Sequence, residues 1–588
     1  MPKHLRDRLV INWRAKYLYA PILTLVLLLT ASIFKNISSP LFWSDEGMTV
    51  MHGKRVLEYG YPKVHDGKNV LYDLDHSNLT LGIDKKTDAF IGGANWGQYY
   101  VAALGVVIAE ISDDIYVKTG IIRSLFAFFG LAGLVLFAYL ASNFFYSSLS
   151  KTVSLISFAF LELISVPLVL HLREARYYPL TVFLVALTVF AYVRYRMLNK
   201  AGYGSFLVFL TISLFLLFLT FSPPYFILLI AIFLFESLML ATRLVLKHRG
   251  SQAATSSRLV PPKALFLEYL KIMLPLLLSL IAAAPLIFFF RMFRIAEEMA
   301  KFNFSVAGMD SLQMYFMNLS LLWRYFSSSD YIYLAIILKV LLLACLSLRV
   351  WTTHVSTLDI PKTVFSSFLT ILFIVYAFSI AKIPNLLFTR YFIPLQPVLA
   401  LIIILDAAVI SDIISRWRHA AAVFSRSVLI ILCLGFVYLN ISSNLENIEG
   451  HAYELFHPYK GALDYVIPFI KGKYKSTDNL VIATNYEETS FMYYLDAKVI
   501  VGYVGNNLDD DSGATPDIIA FRSKVSNKFQ DLFSDFLKKG QYIKIAFPVM
   551  DLPPNNFPEL NLAPPLMHRF RTLETGNEDL KVDIYLRI

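Results

Sequence analysis

Three short polar stretches carry the residue types that could do chemistry in this 588-residue chain. Trp43-Ser44-Asp45-Glu46-Gly47 sets two carboxylates side by side. His171-Leu172-Arg173-Glu174-Ala175-Arg176-Tyr177-Tyr178 interleaves an acid with two arginines, and the segment from Lys382 through Thr389-Arg390-Tyr391 adds cations beside a tyrosine. A carboxylate can take the proton of an attacking hydroxyl, and arginines can hold a departing phosphate through paired charge-assisted bonds. The combination suits group transfer from a lipid phosphate. Plainer readings stand beside it: Ser44 or Asp45 could cap a helix running through Met48 to Glu58. Arg173, Glu174 and Arg176 could be an interfacial ion-pair cluster with arginines snorkelling to headgroups. Arg390 with Tyr391 could be an ordinary anchor before a span.

A divalent metal is a second chemistry these residues admit. His65-Asp66 and Asp73-Leu74-Asp75-His76 share one loop, and His171 adjoins the Arg-Glu cluster, so His65, Asp75, His76 and His171 offer oxygen and imidazole ligands for zinc or magnesium. No closed ligand set is visible, and a solvated polar loop is the competing reading. No other cofactor is expected: there is no Gly-rich phosphate loop, and Gly502-Tyr503-Val504-Gly505 lacks the rest of a dinucleotide fingerprint.

The elements that must position these residues are membrane spans. The chain is 57% hydrophobic and only 16% charged, with 48 Phe and 34 Tyr, and its mean hydropathy is +0.57. A water-soluble globule could not bury that much apolar surface. The net charge of +10 lies in short segments between apolar runs, without a basic stripe interleaved with exposed aromatics, so nucleic acid is not an expected partner. Two cysteines, Cys345 and Cys433, each inside an apolar run, exclude a disulfide framework and a Cys-based metal site.

Apolar runs fall at about 17–37, 119–141, 153–170, 178–196, 205–221, 223–242, 266–289, 331–349, 363–381, 391–411 and 426–442, which reads as about eleven spans. Basic residues before the first run put the N-terminus in the cytoplasm, and clusters such as Arg194, Arg196 and Lys200 mark further inner connections. On that map the first outer loop is 38–118, with an amphipathic piece from Trp96 to Ile111. The three polar stretches then share one outer face. Residues 1–443 form the membrane module. From 444 to 588 the sequence turns polar and alternates strand-like runs (480–484, 498–503, 517–521, 543–548, 582–586) with helical segments near 487–495 and 527–539, the pattern of an extracytoplasmic α/β domain.

The order of motifs resembles the membrane glycosyltransferases of the GT-C fold, in particular the branch holding bacterial aminoarabinose-lipid A transferases and protein O-mannosyltransferases. The similarity rests on Asp45-Glu46 after the first span, Trp96-Gly97-Gln98-Tyr99-Tyr100 later in the same loop, Arg173-Glu174-Ala175-Arg176-Tyr177 before a span, and Arg390-Tyr391-Phe392-Ile393-Pro394 before another. It covers roughly residues 10 to 442. Thr484-Asn485-Tyr486-Glu487-Glu488 and Tyr493-Tyr494-Leu495 extend it to the outer domain. The resemblance implies that Asp45 is the general base for an acceptor hydroxyl, that Glu46 shapes its charge or holds the loop, and that Glu174 is a second acid. Arg173, Arg176 and Arg390, with Lys382 and Tyr391 on the same segment, would hold the phosphate of a polyprenyl-phosphate sugar, and transfer would invert the anomeric carbon. Gly47-Met48 and Trp96-Gly97-Gln98 depart from the family pattern. The implied partners are the sugar donor, a lipid, glycan or protein acceptor, and the lipids of a cell membrane. A transporter or lipid flippase is the rival reading, although no paired half-repeats or matched broken spans are present.

Overall fold

The computed structural model describes residues 20–71, 82–92, 96–248, 261–328, 331–351, 360–383, 387–415, 419–503, 505, 513–557, 567–572 and 574–588. In chain order the helices are α1 (Ala20–Phe34), α2 (Ser44–Tyr59), α3 (Gly97–Ala109), α4 (Ile115–Ser142), α5 (Ser148–Leu163), α6 (Val166–Leu172), α7 (Tyr177–Arg196), α8 (Tyr203–Thr220) and α9 (Ser222–His248). They continue with α10 (Pro262–Phe289), α11 (Met292–Ala307), α12 (Ser311–Ser328), α13 (Ile332–Trp351), α14 (Ile360–Ile380), α15 (Leu395–Ile414) and α16 (His419–Ser443). The C-terminal part holds α17 (Leu445–Phe456), α18 (Leu463–Lys473), β1 (Val481–Thr484), α19 (Glu488–Leu495), β2 (Lys498–Val501), β3 (Ile518–Ala520), α20 (Gln530–Lys538), β4 (Tyr542–Met550) and β5 (Lys581–Arg587).

Among the described residues eight helices are long and apolar enough to cross a membrane, or ten if each of two sharply bent pairs is one span. Large apolar side chains such as Phe128, Val135, Phe209 and Ile281 stand exposed on their outer faces, as lipid-facing surface requires. The protein is a polytopic α-helical membrane protein with a C-terminal α/β sheet unit.

The structure corrects the sequence map in three places. The run at 153–170 is not one straight span: α5 and α6 meet at 77°. Pro167, in the first turn of α6, has no N–H to continue the ladder back into α5. The bend lays α6 across the end of the bundle and aims residues 171–176 inward. The connection between the apolar runs 266–289 and 331–349 is largely helical, as α11 and α12. The piece at 96–111 is not amphipathic: α3 buries Tyr99, Ala102 and Val106, and the side it exposes carries Leu104, Val107 and Ile108.

The sheet runs β2-β1-β3-β5-β4, with β2, β1 and β3 parallel and β5 antiparallel to both neighbours. Its strands bury both faces by alternation. Ala483, Ile500 and Ile519 face Phe533 and Phe536 of α20. Ile482, Val499, Ile518 and Ile584 point the other way, into a core that also holds Leu41, Phe42, Val50, Ala102, Ile122 and Ala175. That second core is continuous from the sheet into the first loop and the ends of the spans.

Polar bonds pin this joint. Asp464 accepts the Leu41 N–H at 3.1 Å and the Gly461 N–H at 2.7 Å, and burial pushes its carboxyl up to about 6. Tyr494 stacks on Phe42, its Oη accepts the Phe42 N–H at 3.0 Å, and it lies 2.6 Å from the Thr119 hydroxyl. Tyr494→Phe keeps the ring and strands the buried Phe42 N–H, which costs about 2 kcal/mol, while the Thr119 hydroxyl keeps its bond to the Ile115 carbonyl at 2.7 Å. Thermal unfolding of the purified, detergent-solubilised chain checks this; an unchanged midpoint would remove Tyr494 as a tie.

Candidate active site

The acidic pair opens α2 without capping it. The residue before the helix is Trp43, and no side chain caps the first turn, so the capping role read from Ser44 and Asp45 is not adopted. Consecutive residues on a helix point about 100° apart, and the two carboxylates go to different partners. Glu46 is fully buried against Arg123 of α4, with Nη2–Oε2 at 2.5 Å and Nε–Oε1 at 2.8 Å, and it accepts the Ala175 N–H at 2.9 Å. Asp45, a quarter exposed, turns to Arg390 at 2.8 Å and Arg176 at 3.4 Å. Arg123 was not read from sequence as a site residue. Its signal was available: an arginine inside an apolar span needs an acid.

Each arginine is held by other contacts as well. Arg176 donates through Nη1 to the Asp45 carbonyl and the Thr49 hydroxyl, both at 3.0 Å, and lies over the Tyr177 ring. Arg390 sits in a short 3-10 turn, Thr389–Tyr391, with its guanidinium 4.8 Å from the Phe388 ring, 4.9 Å from Phe557 and 5.5 Å from Tyr391. Phe557 comes from the C-terminal sheet unit and stacks on Phe388. Tyr177 stacks on Phe221, which in turn faces Tyr391. The result is a carboxylate with two cations, walled by aromatic rings.

Several buried polar atoms here have no partner among the described residues: Nε of Arg176, Nε of Arg390, the Tyr178 hydroxyl and Oε2 of Glu174. Native interiors leave few such atoms unmet, so the cluster has the character of a binding site. Glu174 does not reach Asp45. It pairs with His171 Nδ1 at 3.2 Å, while His171 Nε2 lies 3.4 Å from the Thr389 hydroxyl, tying the α6–α7 turn to the turn carrying Arg390. Arg173 points elsewhere, to the Lys35 carbonyl at 2.9 Å. Lys382 is exposed at the end of α14 and forms no ion pair among the described residues. The structure thus unites Asp45, Arg176, Arg390 and Tyr391, and sets Glu46, Arg173, Glu174 and Lys382 outside that contact.

Of the metal candidates, Asp75 and His76 lie outside the described residues. His65 Nδ1 accepts the Gly67 N–H, and both nitrogens of His171 have the partners given above. Among the described residues no group of three His, Cys, Asp or Glu side chains is placed to hold a metal ion.

No family model matches the sequence, and no curated protein does. Among solved structures the chain is similar to ArnT from Cupriavidus metallidurans in the apo state, at 11% identity over 98% of each chain with a TM-score of 0.44. It is also similar to the same protein bound to undecaprenyl phosphate, at 11% identity over 97% of this chain and 98% of that one, with a TM-score of 0.45. A third similar structure is the Archaeoglobus fulgidus oligosaccharyltransferase tethered with an acceptor peptide, at 10% identity over 90% of this chain and 69% of that one, TM-score 0.40.

The two acids make separable predictions. Glu46→Gln leaves a buried arginine uncompensated and costs about 3 to 5 kcal/mol, seen as loss of folded chain in fluorescence-detected size exclusion. Asp45→Asn, at a partly exposed carboxylate, costs clearly less; equal losses would contradict the division. One helical face up from Asp45 and Thr49, His52 is fully buried between Phe90 and Tyr99. Burial, with Arg55 and Arg176 nearby, holds its imidazole down to about 3. A depressed pKa gives stability that is present above the unfolded value near 6.5 and lost as pH falls toward 3. Between pH 7 and 5 His52 therefore costs about 2 kcal/mol. Asp464 works in the opposite sense, so the comparison is made between wild type and His52→Phe: the variant should lose about that much less on acidification, and parallel pH profiles would refute the assignment.

Proposed function

We propose that the chain is an inverting glycosyltransferase that moves a sugar from a polyprenyl-phosphate carrier to an acceptor hydroxyl at the outer face of a cell membrane. The observation that carries this reading is the Asp45 carboxylate held by Arg176 and Arg390 at the ends of membrane spans, with an unmet N–H on each arginine. Two guanidinium groups against one carboxylate leave a net positive site, suited to a phosphate. Such a phosphate competes with Asp45 for the same donors, so its arrival frees the carboxylate.

The reaction then follows from the groups present. The acceptor oxygen attacks the anomeric carbon from the side opposite the phosphate, and its proton passes to Asp45. The bond between the anomeric carbon and the phosphate oxygen breaks, and Arg176 and Arg390 hold the charge that develops on the departing polyprenyl phosphate. A phosphate leaves as a stable anion, so no general acid is required. Glu46 builds the site without touching the reacting atoms; Glu174 and His171 position the Arg390 turn. Nucleotide sugars are cytosolic, so an outer site implies a sugar already carried across on lipid. With a cytoplasmic N-terminus, the site and the sheet unit would face outward.

The transporter reading is less well supported. It would need its polar groups near the bilayer midplane, yet the mid-span acids Glu236 and Asp406 are already paired with Arg196 and Lys339.

Mass spectrometry of lipids and surface glycans, from cells with the wild-type chain, Asp45→Asn or neither at matched expression, tests the proposal. Asp45→Asn should lower transfer by about 10²–10⁴-fold, with one sugar missing from a glycan and a polyprenyl-phosphate sugar accumulating. Arg390→Ala should raise the donor KM and lower kcat as well, since the same guanidinium binds the phosphate and holds the charge that develops on it. Full activity of Asp45→Asn would overturn the base assignment, and flux of an unmodified substrate would favour transport.

A further inference from the structure

A cavity of about 1270 Å³ lies between α5, α15 and α16, at the end of the bundle away from Asp45. It is separate from the candidate active site. Its walls are mostly apolar, and its α15 side runs from Ile403 to Asp412, about 14 Å at 1.5 Å per residue. The α5 side, from Ser147 to Leu161, runs further, about 21 Å, so the cavity covers one half to two thirds of a hydrocarbon core of about 30 Å, the reach of a single lipid and short of a full crossing.

The mouth is charged. Lys362 pairs with Asp412 at 2.9 Å and lies over the rings of Phe145 and Tyr146, so those two charges neutralise each other. Arg426, on the first turns of α16, is exposed and pairs with no acid among the described residues. The N-termini of α5 and α14 open onto the same mouth, adding the positive ends of two helix dipoles. On α16 only 6% of the spanning window is buried, against 78% for α15. The helix therefore stands off from the bundle across a space that neither water nor protein fills favourably.

We propose that this cavity is a binding site for one anionic glycerophospholipid of the leaflet opposite the active site, with its acyl chains between α15 and α16 and its headgroup phosphate on Arg426. Bound lipid would complete the packing of α16, which leads directly into α17 and the C-terminal sheet unit.

The test is native mass spectrometry of the purified full chain after exposure to phosphatidylglycerol or phosphatidylcholine. One phosphatidylglycerol should be retained in preference to phosphatidylcholine. Arg426→Ala should cut that retention about five-fold without changing retention of phosphatidylcholine, and Ala408→Phe, which fills the cavity, should reduce both. Equal retention of the two lipids by the wild type, or undiminished phosphatidylglycerol on Arg426→Ala, would overturn the proposal. So would displacement of phosphatidylglycerol by a polyprenyl phosphate, which would make the cavity a seat for the carrier. Thermal unfolding shows whether the variants are folded, and the wild-type preference decides the case even if one is not.

Discussion

The buried pair between Glu46 and Arg123 is the constraint on which the site depends. Arg123 lies within an apolar helix, where an unpaired charge is costly. It is satisfied on every side: two bonds to the Glu46 carboxylate, one each to the Ile37 and Pro40 carbonyls at 3.1 and 2.6 Å, and the Phe42 ring 5.3 Å away. Because Glu46 also takes the Ala175 N–H, one ion pair fixes α4, the chain before α2, the first turn of α2 and the turn before α7. With Glu46 so committed, helix geometry turns Asp45 outward to Arg176 and Arg390. Adjacent carboxylates thus divide the work: one locks the elements together and the other faces two guanidinium groups.

Much of this was legible in the sequence. Apolar runs located the helices because lipid requires long apolar segments. The strand-like runs of the C-terminal part fall on the observed strands to within a few residues, since alternation and β-branched residues marked them. Asp45, Arg176 and Arg390 could be singled out as polar residues at span ends. Their pairing could not, because contacts between residues 131 and 345 positions apart in sequence carry no local signal. Nor could sequence show that Arg173 and Arg176, three residues apart in one turn, point to different partners. The bend at Pro167 was hidden inside an apolar run, where hydropathy is blind to direction. Phe557 was missed because nothing in an extended Pro- and Asn-rich segment marks a ring destined for a site in another part of the chain.

Gly47 and Gly97, both in the first loop, serve the same physical end. A Cβ on Gly47 would come 2.5 Å from the Ser490 hydroxyl and 2.9 Å from the Ser490 backbone nitrogen. Without it, α19 approaches α2 closely enough for Ser490 to donate to the Phe42 carbonyl at 2.6 Å and Thr489 to the Ser44 carbonyl at 3.2 Å. Gly97 does the same elsewhere: a Cβ there would meet Thr220 Oγ1 at 2.7 Å and the Leu219 carbonyl at 2.9 Å, so the glycine lets α3 sit on the end of α8. Both glycines tighten the first loop against its neighbours. They belong to packing around the site and leave its charged residues as they are.

That close approach also explains why the sheet unit belongs to the site and is more than a cover. Arg522, buried, ion-pairs with both Glu487 and Asp551, which joins the start of α19 to the segment leading to Phe557. Phe557 then meets Trp43, His171 and Phe388 as well as Arg390. Ring contacts hold a guanidinium in place without using any of its N–H groups. Arg390 is positioned in that way by residues from two distant parts of the chain, so its donors stay available for Asp45 and for an incoming anion. A lysine at this position would offer a point charge with no planar edge to orient. The geometry of the Arg390 guanidinium is therefore set as much by the C-terminal unit as by the spans, and the cluster is complete only when the two are packed together.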